Sequence, residues 1–570
     1  MLASLRRTDP VLCAILLLGL ALRVWGLGYG LPHVYNPDEV SIFSRALSLG
    51  GPKGLDPGNF VYPSLFLYVL AASVGTLYGV ERIAGRVSSL SDFTRTFWQD
   101  PTAAYLVGRS VSVAAGVATI AATYFLARRI ADRATARIAA LLMAVAYFPV
   151  RDSHMIKHDV AVAFAAAVVV LAAWKLRARG RDRDYAVAGG LAGMSLALHY
   201  YAGLLVIPVA VAQAQRAGGI GAAFWRHRGP WIAALLFVAT FALLSPYVLI
   251  DFRTAVADIT SNDQVLFART QAIYPYFDAG LQQAYLMATQ GAGVFMTLAA
   301  LAGVVLIARS LSRDAALLLA FPFALSLMLL HTWPYGRLQN ALYPFAAVTA
   351  GFAIVRAGRR TARPSIAVVA LTAVCAAQPL FYDIVLDRLF TRVDTRTEAA
   401  DWIASHVPAG AGIAIDVYSV PIEPTANWLR ETIAQHAPGE PIGSRDAGLL
   451  ARNPYPSNAY RLFYLGVGGL DKDKAYIDPA AAFGSDGLRT FLENHVSYVV
   501  IKEKLPHEAD QERRALSAGA TLVHRLSPFA DDATPGFAQL PDYDVTPSLA
   551  VTQPGPTIEV WRLREGGHDH

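Results

Sequence analysis

The feature that most restricts this chain is a recurrence. Over its first two thirds, apolar runs of about 15 to 22 residues alternate with short polar gaps rich in arginine, and ~20 apolar residues are what a helix needs to cross a bilayer. Backbone groups in lipid must be paired within the segment, so such a chain folds as a bundle of spanning helices. Only 16% of residues are charged and 54% are hydrophobic, whereas a soluble domain carries about 25% charged residues. The net charge of +6 comes mainly from arginines in the gaps. Membrane topology explains that better than nucleic acid, for which no motif is present.

After Asp387 the pattern changes to Pro, Gly, Asp and Asn with short strand-like runs. The chain therefore divides into a multi-span membrane domain at 1–389 and a soluble α/β or α+β domain at 390–570. In the latter, helix- or strand-like runs fall at 397–406, 412–417, 460–467, 496–501 and 557–563. The stretches 451–458 and 530–556 read as loops. Cys13 and Cys375 both lie in apolar runs, which gives neither a disulfide framework nor a metal cluster. Arg6 and Arg7 precede an apolar run that imitates a signal peptide, but the run is long, holds Arg23 and Trp25, and lacks a small-x-small cleavage site. It reads as a retained first span.

Candidate spans lie at 11–31, 104–127, 134–150, 159–174, 185–198, 200–215, 230–250, 285–308, 314–331, 341–356 and 365–386. The segment 61–80 is also apolar enough to cross, and if it did, every later loop would change sides. Charge decides between the two topologies. With 61–80 lying in the outer interface, the inner loops carry 20 Lys and Arg and the short outer loops carry 5, as the positive-inside rule requires. The expectation is eleven spans in a bacterial inner membrane, with an inner N-terminus and a C-terminal domain on the periplasmic or extracellular face. The first outer loop, 32–103, contains a turn cluster at 51–58 and the interfacial helix. Its length points to a folded lid.

On this topology the unusual residues gather on the outer side. They are Asp38 and Glu39 after the first span, Arg109 near the outer end of the second, and the run Arg151-Asp152-Ser153-His154-Met155-Ile156-Lys157-His158-Asp159. To these add His199-Tyr200-Tyr201, Ser245-Pro246-Tyr247 with Asp251, and Trp333-Pro334-Tyr335-Gly336-Arg337. Ionisable groups at membrane depth are costly unless paired or facing water, which makes each a functional candidate. On a helical continuation Arg151, His154 and His158 share a face, and a guanidinium with two imidazoles suits a phosphate. Each group also has a plainer reading: a solvated loop for the acid pair, snorkelling for Arg109 and Arg337, an aromatic belt for His199 and its tyrosines. His154 and His158 at i, i+4 can also ligate a metal, but no third ligand is fixed by sequence.

An acid beside a cation-rich pocket at the bilayer surface suits transfer of a group from a lipid phosphate to an acceptor hydroxyl. The carboxylate removes the proton, and the cations neutralise the departing phosphate. Neither a Walker motif nor a credible dinucleotide loop is present.

Over roughly residues 10–420 these landmarks resemble the lipid-carrier-dependent glycosyltransferases of the GT-C superfamily, specifically family 39, which includes protein O-mannosyltransferases and lipid A aminoarabinose transferases. The resemblance rests on Asn36-Pro37-Asp38-Glu39, Asn59-Phe60-Val61-Tyr62-Pro63-Ser64-Leu65 and Arg151-Asp152-Ser153-His154 leading to Asp159. It also rests on Ser245-Pro246-Tyr247 leading to Asp251, and on Asp394-Thr395-Arg396-Thr397 followed by Trp402-Ile403. It implies an inverting transfer from a polyprenyl-phosphate sugar to an acceptor glycan, lipid or protein hydroxyl, with Asp38 as catalytic base, Glu39 as its partner and Asp159 as a second important carboxylate. Around the donor it would place Arg109, Arg151, His154, Lys157, His158, Tyr62, His199, Tyr200 and Arg337. Arg337 is followed by Leu where relatives carry Tyr. Where aminoarabinose transferases carry Glu-Lys before the proline, this chain has Val61-Tyr62, which argues against that activity and leaves Lys157 to supply the cation. The resemblance fixes no cofactor, and a divalent metal is compatible. The competing reading is a carrier or flippase of lipid-linked sugars, for which internal repeats would be expected.

Overall fold

The computed structural model describes residues 9–51, 54–274, 278–417, 419–436, 438, 442–468, 472–484, 488–503, 509–530 and 551–564. Arg6 and Arg7, two residues of the 51–58 turn cluster and most of the 530–556 loop lie outside these residues. The chain forms two compact units. One comprises Met1–Leu27, Asp38–Thr76 and Leu106–Asp387; the other comprises Gly28–Pro37, Leu77–Tyr105 and Arg388–His570.

The first unit is helical. Among the described residues, six helices are long and apolar enough to cross a membrane: Leu65–Ile83, Thr102–Ile130, His158–Arg179, Ser312–Leu329, Gly336–Gly358 and Pro364–His406. Two further pairs qualify only when each is taken as one broken span. Arg133–Ala144 with Tyr147–Ser153 bends by 53°, and Asp278–Gly291 with Val294–Ser310 bends by 118°. Pro10–Val24 and Arg228–Leu244 are apolar but shorter. Several of the expected spans are shorter or more broken than their hydropathy suggests, for local reasons. The first helix stops at Val24 rather than 31 because Gly26, Gly28, Gly30 and Pro32 follow. The span expected at 285–308 breaks at Gly293, whose φ of +77° costs a glycine little. The one expected at 200–215 opens as a tight 3-10 turn, Tyr200–Leu205, before the helix Val206–Ala217. The segment 61–80, expected in the outer interface, forms the helix Leu65–Ile83, which by length and composition qualifies as a span.

Short helices are held by close approach. A Cβ on Gly189 would fall 2.1 Å from the Ala233 carbonyl oxygen, and one on Gly193 would fall 2.2 Å from that of Phe237. This small-xxx-small pair lets Asp182–Leu198 lie backbone to backbone against Arg228–Leu244, the contact that lipid-embedded helices use in place of hydrophobic burial.

The second unit is an α/β domain built on a mixed sheet. Its strands are β1 (Gly412–Asp416), β2 (Glu423–Pro424), β3 (Ala459–Leu465), β4 (Ala475–Ile477), β5 (Tyr498–Lys502), β6 (Ala520–Leu526) and β7 (Ile558–Leu563). The order is β2-β3-β1-β5-β7-β6, with β4 pairing the end of β3. β1 to β5 are parallel, and β7 and β6 add antiparallel. Alternate residues feed two cores: Ile413, Ile415, Val500 and Val560 pack with the helix Thr395–His406, while Ala414, Val499, Ile501 and Trp561 face Phe491 and Leu516. β1 is buried throughout, as a central parallel strand should be. The runs at 412–417, 460–467, 496–501 and 557–563 are these strands. β6 escapes sequence reading because it is an edge strand whose run holds His524 and Arg525 and whose side chains are mostly part-exposed.

Candidate active site

The acid pair opens the helix Pro37–Ser48, with proline as its first residue and both carboxylates in its first turn. That end of a helix favours proline and negative charge. One helical step separates the two side chains in direction, and the surroundings treat them differently.

Glu39 is fully buried. Arg109 grips it with two parallel bonds, Nε to Oε1 and Nη2 to Oε2, each 2.8 Å, and the Ile156 N–H donates to Oε1 at 3.1 Å. The remaining arm of Arg109 donates to the Leu27 carbonyl at 2.7 Å. Both Glu39 oxygens are thus engaged, and the pair ties the acid helix to two other segments. This is a positioning element.

Asp38 keeps 39% of its side chain exposed. Its Oδ2 accepts from Lys157 Nζ at 3.1 Å and from Arg337 Nη1. Lys157 is almost wholly buried, and its backbone N–H donates to Ser112 Oγ at 3.1 Å. Arg337 lies over the Tyr335 ring at 4.5 Å. One reachable carboxylate therefore sits between two cations brought from distant parts of the chain.

The run 151–159 does not continue as one helix. Tyr147–Ser153 ends, four residues turn, and His158–Arg179 begins. Arg151, His154 and His158 consequently do not share a face, which corrects the expectation drawn from helical spacing. Arg151 Nε donates to Asp152 Oδ1 at 2.9 Å and its guanidinium covers the Phe148 ring, while Asn340 Nδ2 holds Asp152 Oδ2 at 2.6 Å. His154 lies 3.0 Å from both the Val150 and Trp25 carbonyls and 3.3 Å from Asp387.

His158 joins a different group. Its ring is 4.4 Å from Tyr62 and 4.8 Å from His199, centroid to centroid, and Tyr62 and His199 are 5.4 Å apart. One ligand atom from each of His158, Asp159 and His199 lies within 4.8 Å of the others. Two imidazoles and a carboxylate make a donor set that fits a divalent transition metal. The pairing of His154 with His158 that helical spacing suggested is not found; the candidate set instead joins His158 and Asp159 to His199, which lies just after the helix Asp182–Leu198. Tyr200 points elsewhere, donating to the Phe60 carbonyl at 2.9 Å. The segment ahead of Leu65–Ile83 is further pinned by Ser64 N–H on Ser245 Oγ at 3.1 Å and Phe60 N–H on Asp258 at 2.9 Å.

Sequence reasoning passed over Asp383 and Asp387. Both are fully buried one helical turn apart in Pro364–Phe390, facing the buried Arg23. Two aspartates at i, i+4 in an apolar run were the available signal. Asp394 and Arg396 belong to the second unit, where Arg396 binds Asp394 through two 2.8 Å contacts, Tyr29 donates to the same carboxylate at 2.8 Å, and the guanidinium covers Tyr35.

Residues 103–247 match the family model for dolichyl-phosphate-mannose-protein mannosyltransferase. The resemblance to lipid-carrier-dependent glycosyltransferases is borne out over that stretch. No match to a curated protein was found. Among solved structures, the Archaeoglobus fulgidus oligosaccharyltransferase is similar at 14% identity, covering 89% of this chain and 69% of that one, with a TM-score of 0.49. ArnT from Cupriavidus metallidurans, solved with undecaprenyl phosphate, is similar at 12% identity over 90% and 95% of the two chains, with a TM-score of 0.43. The mycobacterial arabinofuranosyltransferase AftD is similar at 16% identity over 98% and 40%, also with a TM-score of 0.43. At such identities, function has to be read from this chain's own side chains.

Proposed function

We propose that this protein is an inverting membrane glycosyltransferase that moves a sugar from a polyprenyl-phosphate donor to an acceptor hydroxyl on the outer face of a bacterial inner membrane. The observation that carries this reading is the part-exposed Asp38 carboxylate held by Lys157 and Arg337. The acceptor oxygen attacks the anomeric carbon as the bond from that carbon to the phosphate oxygen breaks, and displacement from the opposite side inverts the centre. The proton of the hydroxyl passes to Asp38. Lys157 and Arg337 neutralise the phosphate as it leaves with the bond's electron pair.

The two cations hold Asp38 when no phosphate is bound. An arriving phosphate competes for both and draws them off the carboxylate, which then accepts the hydroxyl proton. Glu39 and Arg109 fix the helix on which Asp38 rides. His158, Asp159 and His199 are the residues that would hold a divalent ion, whose chemistry would be further neutralisation of phosphate charge. Tyr62, beside them, offers a ring face to the sugar.

The test is transfer by membranes that contain the Asp38→Asn variant, supplied with labelled polyprenyl-phosphate sugars. Loss of transfer with donor binding retained supports the assignment. Undiminished transfer removes Asp38 as the base, and donor movement across the membrane without any transfer would instead favour a carrier of lipid-linked sugars.

A further inference from the structure

The second unit contains a cleft of about 350 Å³ that the transfer chemistry does not use. It lies between the helix Leu90–Gln99 and the edge of the sheet near β2 and β3. Its volume is in the range of small-molecule sites, which are about 300–1,000 Å³ and combine aromatic walls with a few placed polar groups. Trp98, Trp428 and Tyr464 supply rings. The Trp98 indole Nε1 is buried and has no hydrogen-bond partner among the described residues.

The polar lining is balanced. Arg452 pairs with Glu423 at 2.6 Å and also donates to the Trp98 carbonyl at 3.0 Å, while Arg445 pairs with Asp473 at 3.3 Å. His33 is held below its ordinary pKa, chiefly by burial, and is uncharged at neutral pH. Among the described lining residues each arginine has a carboxylate partner, while Arg461 and Lys474 stand over the Trp428 and Tyr464 rings at 4.6 and 5.5 Å and hold their charge against those rings. What remains are ring faces and fixed ion pairs with unused lone pairs and N–H groups. Rings of this kind accept the C–H face of a pyranose or furanose, while paired carboxylates and guanidinia bond its hydroxyls. A proline-rich peptide would use the rings but leave the ion pairs idle.

We propose that this cleft binds a neutral oligosaccharide, the unreacting portion of an acceptor glycan. Only the word acceptor rests on the transferase reading. The test uses the purified full-length protein in detergent, probed by saturation-transfer NMR and tryptophan fluorescence with uncharged gluco-, manno-, galacto- and arabino-oligosaccharides. At least one should bind saturably, with Trp98→Ala weakening it about tenfold or more. Because Trp98 also packs against Gly448, Asp473→Asn provides a milder variant, expected to weaken binding about threefold or more with the melting temperature unchanged. Absence of binding across the panel, binding indifferent to both variants, or displacement of the sugar by a proline-rich peptide overturns the proposal. The two readings fail separately. Transfer that survives Asp38→Asn removes the base and leaves the cleft, whereas a chain whose transfer needs Asp38 but which binds no oligosaccharide loses only the cleft.

Discussion

Asp38 in the first unit lies against two cations, Lys157 and Arg337, while in the cleft of the second unit each arginine has a carboxylate of its own, Arg452 with Glu423 and Arg445 with Asp473. In the first arrangement one carboxylate oxygen meets two cations. The second arrangement is already neutral, so a charged ligand would break pairs and gain little. On the proposed readings, two cations on one acid suit a phosphate, whereas paired charges suit hydroxyls.

The comparison breaks most sharply at Asp38. Asp38→Asn should lower transfer by about 10²-fold or more, the scale of a lost general base, with folded yield unchanged, as measured by sugar transfer and size-exclusion profile. Next comes Glu39. Glu39→Gln leaves the buried Arg109 charge without its partner, and breaking a buried pair costs about 3–5 kcal/mol, which a fall in melting temperature would register. Glu423→Gln in the cleft removes a part-exposed partner, worth about 0–1 kcal/mol, and should leave that temperature nearly unmoved. Equal effects at the two positions would erase the distinction drawn between them.

Lys157→Met and Arg337→Met should each weaken binding of polyprenyl phosphate about tenfold, by removal of a charge-assisted contact, as titration in nanodiscs would show. A smaller effect is expected at the histidine cluster. His199→Ala should abolish binding of one divalent cobalt or manganese ion, seen by absorption or paramagnetic resonance, while the fold persists. An unchanged metal signal would dissociate His158, Asp159 and His199 from any ion.

The smallest effect concerns pH. His524 and His406 each stack on Trp402, with ring centroids 4.5 Å away. Burial first, and His406 second, hold His524 below its ordinary value. The unfolded chain then binds the proton more tightly, so this stability is fully present above the ordinary histidine value of about 6.5 and is lost as pH falls below it through the lowered folded-state value. His524→Phe should flatten that slope in thermal melts, whereas an identical slope would locate the titration elsewhere.

Much of this was legible in the residues. The apolar runs foretold a helical membrane domain, and the shift in composition after Asp387 foretold the α/β sheet. What failed was fine placement. Gly293 and the glycines after Val24 interrupt helices that mean hydropathy reads as continuous. The run 151–159 looked like one helical face, yet the backbone turns at His154 to Lys157, sending Arg151 to Asp152, His154 to backbone carbonyls and His158 to His199. Asp383 and Asp387 were visible as letters, but nothing local shows that Arg23 meets them.

The sequence by itself determined that the chain enters a membrane and that an acid pair stands just beyond its first apolar helix, because hydropathy and helix-end preferences are properties of neighbouring residues. Only the tertiary structure decided which of the two acids is locked and which is reachable. Lys157 stands 119 residues from Asp38 and Arg337 stands 299. Bringing such charges within hydrogen-bond distance depends on how helices pack, and no local pattern in the chain encodes it.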